Sequence, residues 1–293
     1  MNNKHFSVIG GDMRQLSLAK SLASDGFDVT VFALGDDIAN GCTKGADLIS
    51  SVKDADYIIL PLPVTSDDTT VSAPLAKDIS IDLSELFKLV NEKQFVFGGK
   101  ISNKTSSLMQ QYRIQPNDYF LREEFAVLNA IPSAEGAVEL AMSELPVTLH
   151  SSRCLVMGFG RIGKVLSHML HGIGAKVTVC SKNLHDIAWA DAYAYDGINI
   201  TDMKDKISGF DVIFNTVPAL IFERRILENV NKDALIIDLA SKPGGVDMRA
   251  AAELGLKTIW ALGLPGKTAP VTAANIVKNT VLNMIHELGV SNI

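Results

Sequence analysis

The stretch Gly158-Phe159-Gly160-Arg161-Ile162-Gly163 constrains this chain more than any other. It follows an apolar run, Cys154–Met157, that reads as a strand, and it opens a segment of helical spacing, Ile162–His171. A second strand-like run, Val177–Cys180, comes after Gly174. Glycines spaced in this way between a strand and a helix suit a turn that carries a pyrophosphate. Gly158 permits the tight turn, Gly160 lets phosphate approach the backbone, and Gly163 lets helix and strand pack closely. The helix N-terminus favours the negative charge. The spacing predicts a dinucleotide site on Gly158, Phe159, Gly160, Arg161, Ile162 and Gly163. The alternative is a glycine-rich packing turn with no ligand.

The end of the second strand discriminates between NAD and NADP. An acid about 20 residues past the glycines holds the ribose 2′-OH of NAD. Here the chain reads Val179-Cys180-Ser181-Lys182-Asn183, with no acid at the strand end. Ser181 and Lys182 suit a 2′-phosphate, which a carboxylate would repel, so NADP is the expected cofactor. Asp186 reaches the ribose only if the strand ends late.

Two further segments follow strand-like runs. Asn215-Thr216-Val217-Pro218 follows Val212–Asn215, and Leu239-Ala240-Ser241-Lys242-Pro243-Gly244-Gly245 follows Leu235–Leu239. The carboxyl ends of parallel strands form the ligand crevice of such folds. Thr216, Val217, Pro218, Leu239, Ala240 and Ser241 are therefore expected at the cofactor. Lys242, with Pro243 and Gly244, is expected at the substrate, because a cation there suits a carboxylate.

The first half shows the same alternation of short apolar runs (Phe6–Ile9, Asp28–Ala33, Tyr57–Leu60, Phe95–Phe97) and helical segments (Arg14–Ser24, Leu83–Glu92). That pattern predicts parallel sheets covered on both faces, an α/β chain of doubly wound sheets. Gly10-Gly11-Asp12-Met13-Arg14-Gln15 follows a strand and opens a helix but lacks the dinucleotide spacing. It is read as an anion site on Arg14 and Gln15. Gly98-Gly99-Lys100-Ile101-Ser102-Asn103 adds Ser102 and Asn103. Pro132 suits the first turn of a connector helix, which places Ser133 and Glu135 at its start. The expected domains are residues 1–130 joined by a returning helix at 272–293, a connector at 131–148, and a nucleotide-binding domain at 149–271.

Composition narrows the function. A net charge of −6 argues against a nucleic-acid surface, which needs clustered cations. The longest apolar runs fall short of the ~18 residues of a membrane span, and the start of the chain carries no apolar signal core. Cys42, Cys154 and Cys180 are far apart, and neither they nor the six histidines show ligand spacing, so no metal site is expected.

The segment from Asn129 to Gly163 resembles the architecture of D-2-hydroxyacid and alanine dehydrogenases. That resemblance implies an NAD(P)-binding Rossmann domain beside a flavodoxin-like N-terminal domain. The hydroxyacid enzymes use a histidine near the end of the nucleotide domain. Here that region reads Gly263-Leu264-Pro265-Gly266-Lys267.

A closer resemblance covers nearly the whole chain. Ile9-Gly10-Gly11-Asp12-Met13-Arg14-Gln15, Ile101-Ser102-Asn103 and Ile131-Pro132-Ser133-Ala134-Glu135-Gly136 look like the dipicolinate synthase family, in its A component. So do Leu239 to Gly245 and Gly263-Leu264-Pro265-Gly266-Lys267-Thr268-Ala269-Pro270. The resemblance implies a sporulation enzyme of the mother-cell cytoplasm, whose partner is the flavoprotein-like B component of the synthase. It implies NADP-dependent oxidation of dihydrodipicolinate to dipicolinate. Lysine at position 242 keeps the charge of the arginine common there in the family but not its planar fork.

That reaction fits the residues. The substrate carries two carboxylates, and Arg14 from one domain and Lys242 from the other are expected to grip one each across a cleft. Loss of hydride gives an aromatic ring, so placement and exclusion of water are the main tasks. The departing proton falls to Glu135, Lys242 or water. Two other readings stand: a dehydrogenase or reductase of 2-keto or 2-imino acids, and a nucleotide-binding regulatory protein without catalysis. Oligomeric state is left open, a homo-oligomer included.

Overall fold

Short runs of β-branched and aromatic residues make the central strands, whose faces are both buried, while the short edge strands are partly exposed. The structure, a computed structural model, describes residues 4–35 and 41–289. Of the domain bounds expected above, residues 1–3, 36–40 and 290–293 lie outside the described residues. Among the described residues, twelve strands form two parallel sheets. The first contains β1 (His5–Ile9), β2 (Asp28–Phe32), β3 (Thr43–Lys44), β4 (Tyr57–Ile59), β5 (Phe95–Gly98) and β6 (Asn117–Asp118). The second contains β7 (Arg153–Met157), β8 (Lys176–Ser181), β9 (Asp196–Asn199), β10 (Val212–Asn215), β11 (Leu235–Asp238) and β12 (Lys257–Trp260).

The strand orders are β3-β2-β1-β4-β5-β6 and β12-β11-β10-β7-β8-β9. Each sheet reverses its winding once, between β1 and β4 in the first and between β7 and β10 in the second. Ligand crevices form at such switch points. Without the two-residue β3, the first sheet runs 2-1-3-4-5, the flavodoxin-like order. The fold is therefore the expected pair of doubly wound α/β sheets, with a Rossmann-type second sheet.

The chain divides into two compact units, Met1–Asn129 with Ala269–Ile293, and Ala130–Thr268. In the first, the C-terminal helix Pro270–Glu287 packs on the helix Met13–Ser24 and buries Ala274, Val277, Val281 and Ile285. Asn275 accepts a hydrogen bond from Ser21 at 2.8 Å, and Lys278 meets Asp25 at 2.5 Å. Arg122 holds Glu287 with two bonds of 2.6 Å. In the second unit, one side of the sheet buries Leu166, Leu170 and Ala137, and the other buries Ile207, Phe222 and Leu227.

The connector differs from expectation. The helix runs Glu123–Glu144, so Pro132 lies inside it and Ser133 and Glu135 sit at mid-length. Glu123 and Glu124 give the true first turn, where acidic groups suit the helix dipole. Pro132 removes a single backbone bond, and a helix of 22 residues tolerates that. No helix among the described residues is long and apolar enough to cross a membrane.

Candidate functional site

The glycine turn of the second unit lies at its switch point. Gly158 follows β7 with a φ of +88°, and its N–H donates to the carbonyl of Cys180 at 2.8 Å. A Cβ there would come within 2.7 Å of both Thr216 and Val217, which follow β10. A Cβ on Gly163 would stand 2.2 Å from the Gly158 carbonyl oxygen. Gly160 is the opposite case, since a Cβ would meet nothing within 4 Å. It is also the N-cap of the helix Arg161–Ile173, and no side chain caps that end. A turn with close packing on both sides and an open, uncapped helix end between them fits a pyrophosphate.

The loops after β10 and β11 stand beside this turn in the sheet. Thr216 donates its hydroxyl to the Met157 carbonyl at 2.8 Å, which ties the end of β10 to the end of β7. Val217 is half-buried and Pro218 exposed. Leu239 and Ala240 are buried, whereas Ser241, Lys242 and Pro243 form an exposed arc. Asp238, 1% exposed, lies under that arc, and in the sequence it is hidden inside the apolar run Leu235–Leu239. Asp238 and Asn215 are register partners across β10 and β11, joined by a bond of 2.7 Å.

At the end of β8 the Ser181 hydroxyl donates to Asp186 at 2.7 Å and accepts the Asn183 N–H at 3.1 Å. Asn183 also donates to Asp186 at 3.3 Å, and His185 stands 3.0 Å from its other oxygen. Asp186 is thus buried and partnered within the turn, with the Ser181 hydroxyl spent on it. Lys182 is exposed.

In the first unit the structure sets Arg14 and Gln15 around Asp12. Asp12 caps the helix Met13–Ser24, with Gln15 completing a reciprocal capping box. The Arg14 guanidinium reaches both Asp12 oxygens, at 3.0, 3.2 and 2.8 Å, and donates to the Leu62 carbonyl at 2.6 Å. One carboxylate thus serves both the helix cap and the Arg14 cation. Gln15 is fully buried, and its side-chain oxygen accepts the Asp12 N–H. Ser102 caps the helix Asn103–Gln111 and donates to Asp68 at 2.6 Å. Asn103 is exposed beside Lys104 in a shallow depression.

Glu135 is exposed and Ser133 buried. Glu135 borders a groove of about 730 Å³ with Val138, Met142, Met169 and Ile173. Met169 and Ile173 belong to the second half of the helix whose first turn is the glycine site.

This architecture defines a class: a two-unit α/β protein of dehydrogenase type, with a nicotinamide-dinucleotide site in its second unit. Residues 133–250 match the D-isomer specific 2-hydroxyacid dehydrogenase, NAD binding domain, family. Residues 5–120 match the family of the N-terminal domain of the dipicolinate synthase A chain. The chain is a relative of that synthase component. It is 28% identical to the A component of dipicolinate synthase from Bacillus subtilis (strain 168) over 285 residues, 96% of each chain. The crystal structure of dipicolinate synthase, A chain, from Bacillus subtilis is similar with a TM-score of 0.88 and 27% identity, covering 100% of this chain and 99% of that one. The corresponding structure from Bacillus halodurans gives 0.87 and 28%, covering 96% and 97%.

Proposed function

We propose that the chain oxidises dihydrodipicolinate to dipicolinate with NADP, as the A component of a dipicolinate synthase that works with a flavoprotein-like B component in the cytoplasm of a sporulating mother cell. The observation that carries this reading is that the likeness to the synthase runs through both units and is not confined to the nucleotide-binding one.

The residues of the second unit support it. The open amides at Gly160 suit the pyrophosphate, and Lys182 suits a 2′-phosphate, while the acid nearest β8 is already partnered. When bound, the nicotinamide supplies a hydride acceptor. Lys242 holds a ring carboxylate and so sets the ring for transfer. One C–H pair of electrons leaves as hydride and one ring proton leaves to water, since the Lys242 ammonium that holds the carboxylate has no lone pair to accept it, which yields the pyridine.

Incubation of the purified chain with NADP and freshly generated dihydrodipicolinate, with and without the B component, should give an ultraviolet-absorbing pyridine and NADPH. Absence of product in both mixtures rejects the reading.

A further inference from the structure

The arc that carries Lys242 rests on one buried carboxylate. Asp238 Oδ1 accepts the Ala240 N–H at 3.1 Å, and Oδ2 accepts the Gly245 N–H at 2.8 Å. Ala240 and Gly245 are the two feet of the Ser241–Gly244 arc. Oδ1 also accepts from Asn215 Nδ2 at 2.7 Å, and that same nitrogen donates to the Val217 carbonyl at 3.0 Å. Three donors converge on two oxygens, a demand that a carboxylate meets and a carboxamide does not. The feet are further fixed from outside. Trp260 donates to the Ala240 carbonyl at 2.9 Å, and Ile221 and Phe222 donate to the Gly245 carbonyl. A Cβ on Gly245 would lie 2.1 Å from Asn215 Nδ2, so the glycine is needed for this approach.

We propose that Asp238 is the positioning residue of the site. It pins both ends of the Lys242 arc and couples them, through Asn215, to the loop of Thr216 and Val217. The proposal rests on the reading of Lys242 as the carboxylate-binding cation. Asp238 touches no reacting atom; it sets where the ammonium stands, and a displacement of about 1 Å at such a group is enough to slow a reaction severely.

A double-mutant cycle on the full chain tests this, with dihydrodipicolinate and NADP as substrates. Asp238→Asn turns one acceptor into a donor facing an N–H. It should raise KM for the dicarboxylate about tenfold, while ADP, which reports on the glycine turn, binds within about twofold of the unmodified chain. In a Lys242→Ala background the same change should move KM by less than about twofold. Equal effects in both backgrounds, or an unchanged KM, overturn the proposal.

Amide hydrogen exchange in the unmodified chain gives a check that needs neither a variant nor a substrate. Ala240 and Gly245 should exchange as slowly as Ile236 and Ile237, and Lys242 much faster. Ala240 and Gly245 exchanging at the rate of Lys242 overturns the clamp. If the unmodified chain forms no pyridine, the proposed reaction fails, and the exchange rates still decide on the clamp.

Discussion

Arg14 and Asp12 face each other across a single helical cap, with the guanidinium Nε and Nη2 spread over both carboxylate oxygens. Asp12 also caps the helix backbone, so one side chain does two tasks that substitution can separate. Asp12→Asn keeps a good cap and removes the ion pair, whereas Asp12→Ala removes both. The step from Asn to Ala should therefore cost about 1 kcal/mol. The pair itself should be worth no more than about 1 kcal/mol, because Asp12 is one-third exposed. Urea midpoints of the three chains measure this, and equal stability of the Asn and Ala variants contradicts the capping role.

Gly160 and Gly163 should respond oppositely to alanine. At Gly160 the new Cβ meets no protein atom within 4 Å and φ is −77°, so the fold should be retained within about 0.5 kcal/mol. The methyl group would stand where the pyrophosphate is expected, so nucleotide affinity should fall steeply. At Gly163 the Cβ would strike the Gly158 backbone oxygen, and stability should fall by more than about 2 kcal/mol. Thermal melting with nucleotide titration reads both. Normal nucleotide binding by Gly160→Ala would remove the turn from the cofactor site.

Cofactor preference should depend on Lys182. Its removal should weaken NADP binding by about 1.4 kcal/mol, roughly tenfold, and leave NAD nearly unchanged. Ser181→Ala should push the ratio the same way, by releasing Asp186 from its hydrogen bond. An unaltered ratio of the two dissociation constants in Lys182→Ala means that the 2′-phosphate is not held there.

The thiols of Cys154 and Cys180 should be silent in the native protein. Burial is the main cause that pushes each up to about 12, from 9.0 in a free side chain, with Asp211 and Asp202 adding to it. A group whose folded value is raised stabilises the fold below its unfolded value and loses that contribution as pH rises toward the folded one. Stability should thus decline between about pH 9 and 12 beyond what the tyrosines and lysines explain. Ser variants at both positions should flatten that decline in urea titrations. Rapid labelling of both thiols by a disulfide reagent at pH 8 in the folded chain would show them to be accessible.

The sequence is a good guide where local chemistry decides. The apolar runs at Val212–Asn215 and Val177–Cys180 are strands because β-branched residues fill a surface buried on both sides. β9 is illegible for the complementary reason. Asp196-Gly197-Ile198-Asn199 has little strand propensity and pairs only because β8 offers an edge. The connector helix is misjudged at Pro132, since a proline signals a helix start only where nothing upstream already forms one.

The site divides along the same line. Spacing alone gave the glycine turn, because its three glycines answer to backbone constraints that a strand and a helix impose within a few residues. Arg14's true partner and the carboxylate beneath Lys242 came from tertiary structure. Asp12 is two residues from Arg14, yet whether their side chains meet depends on rotamers and on the Leu62 carbonyl 48 residues away. Asp238, at the end of β11, gathers one donor from β10 and one from each end of a loop, and only the packing of β11 against β10 brings these together. Sequence determines what each short segment prefers to be; contact between distant segments decides which polar groups are left free for a ligand.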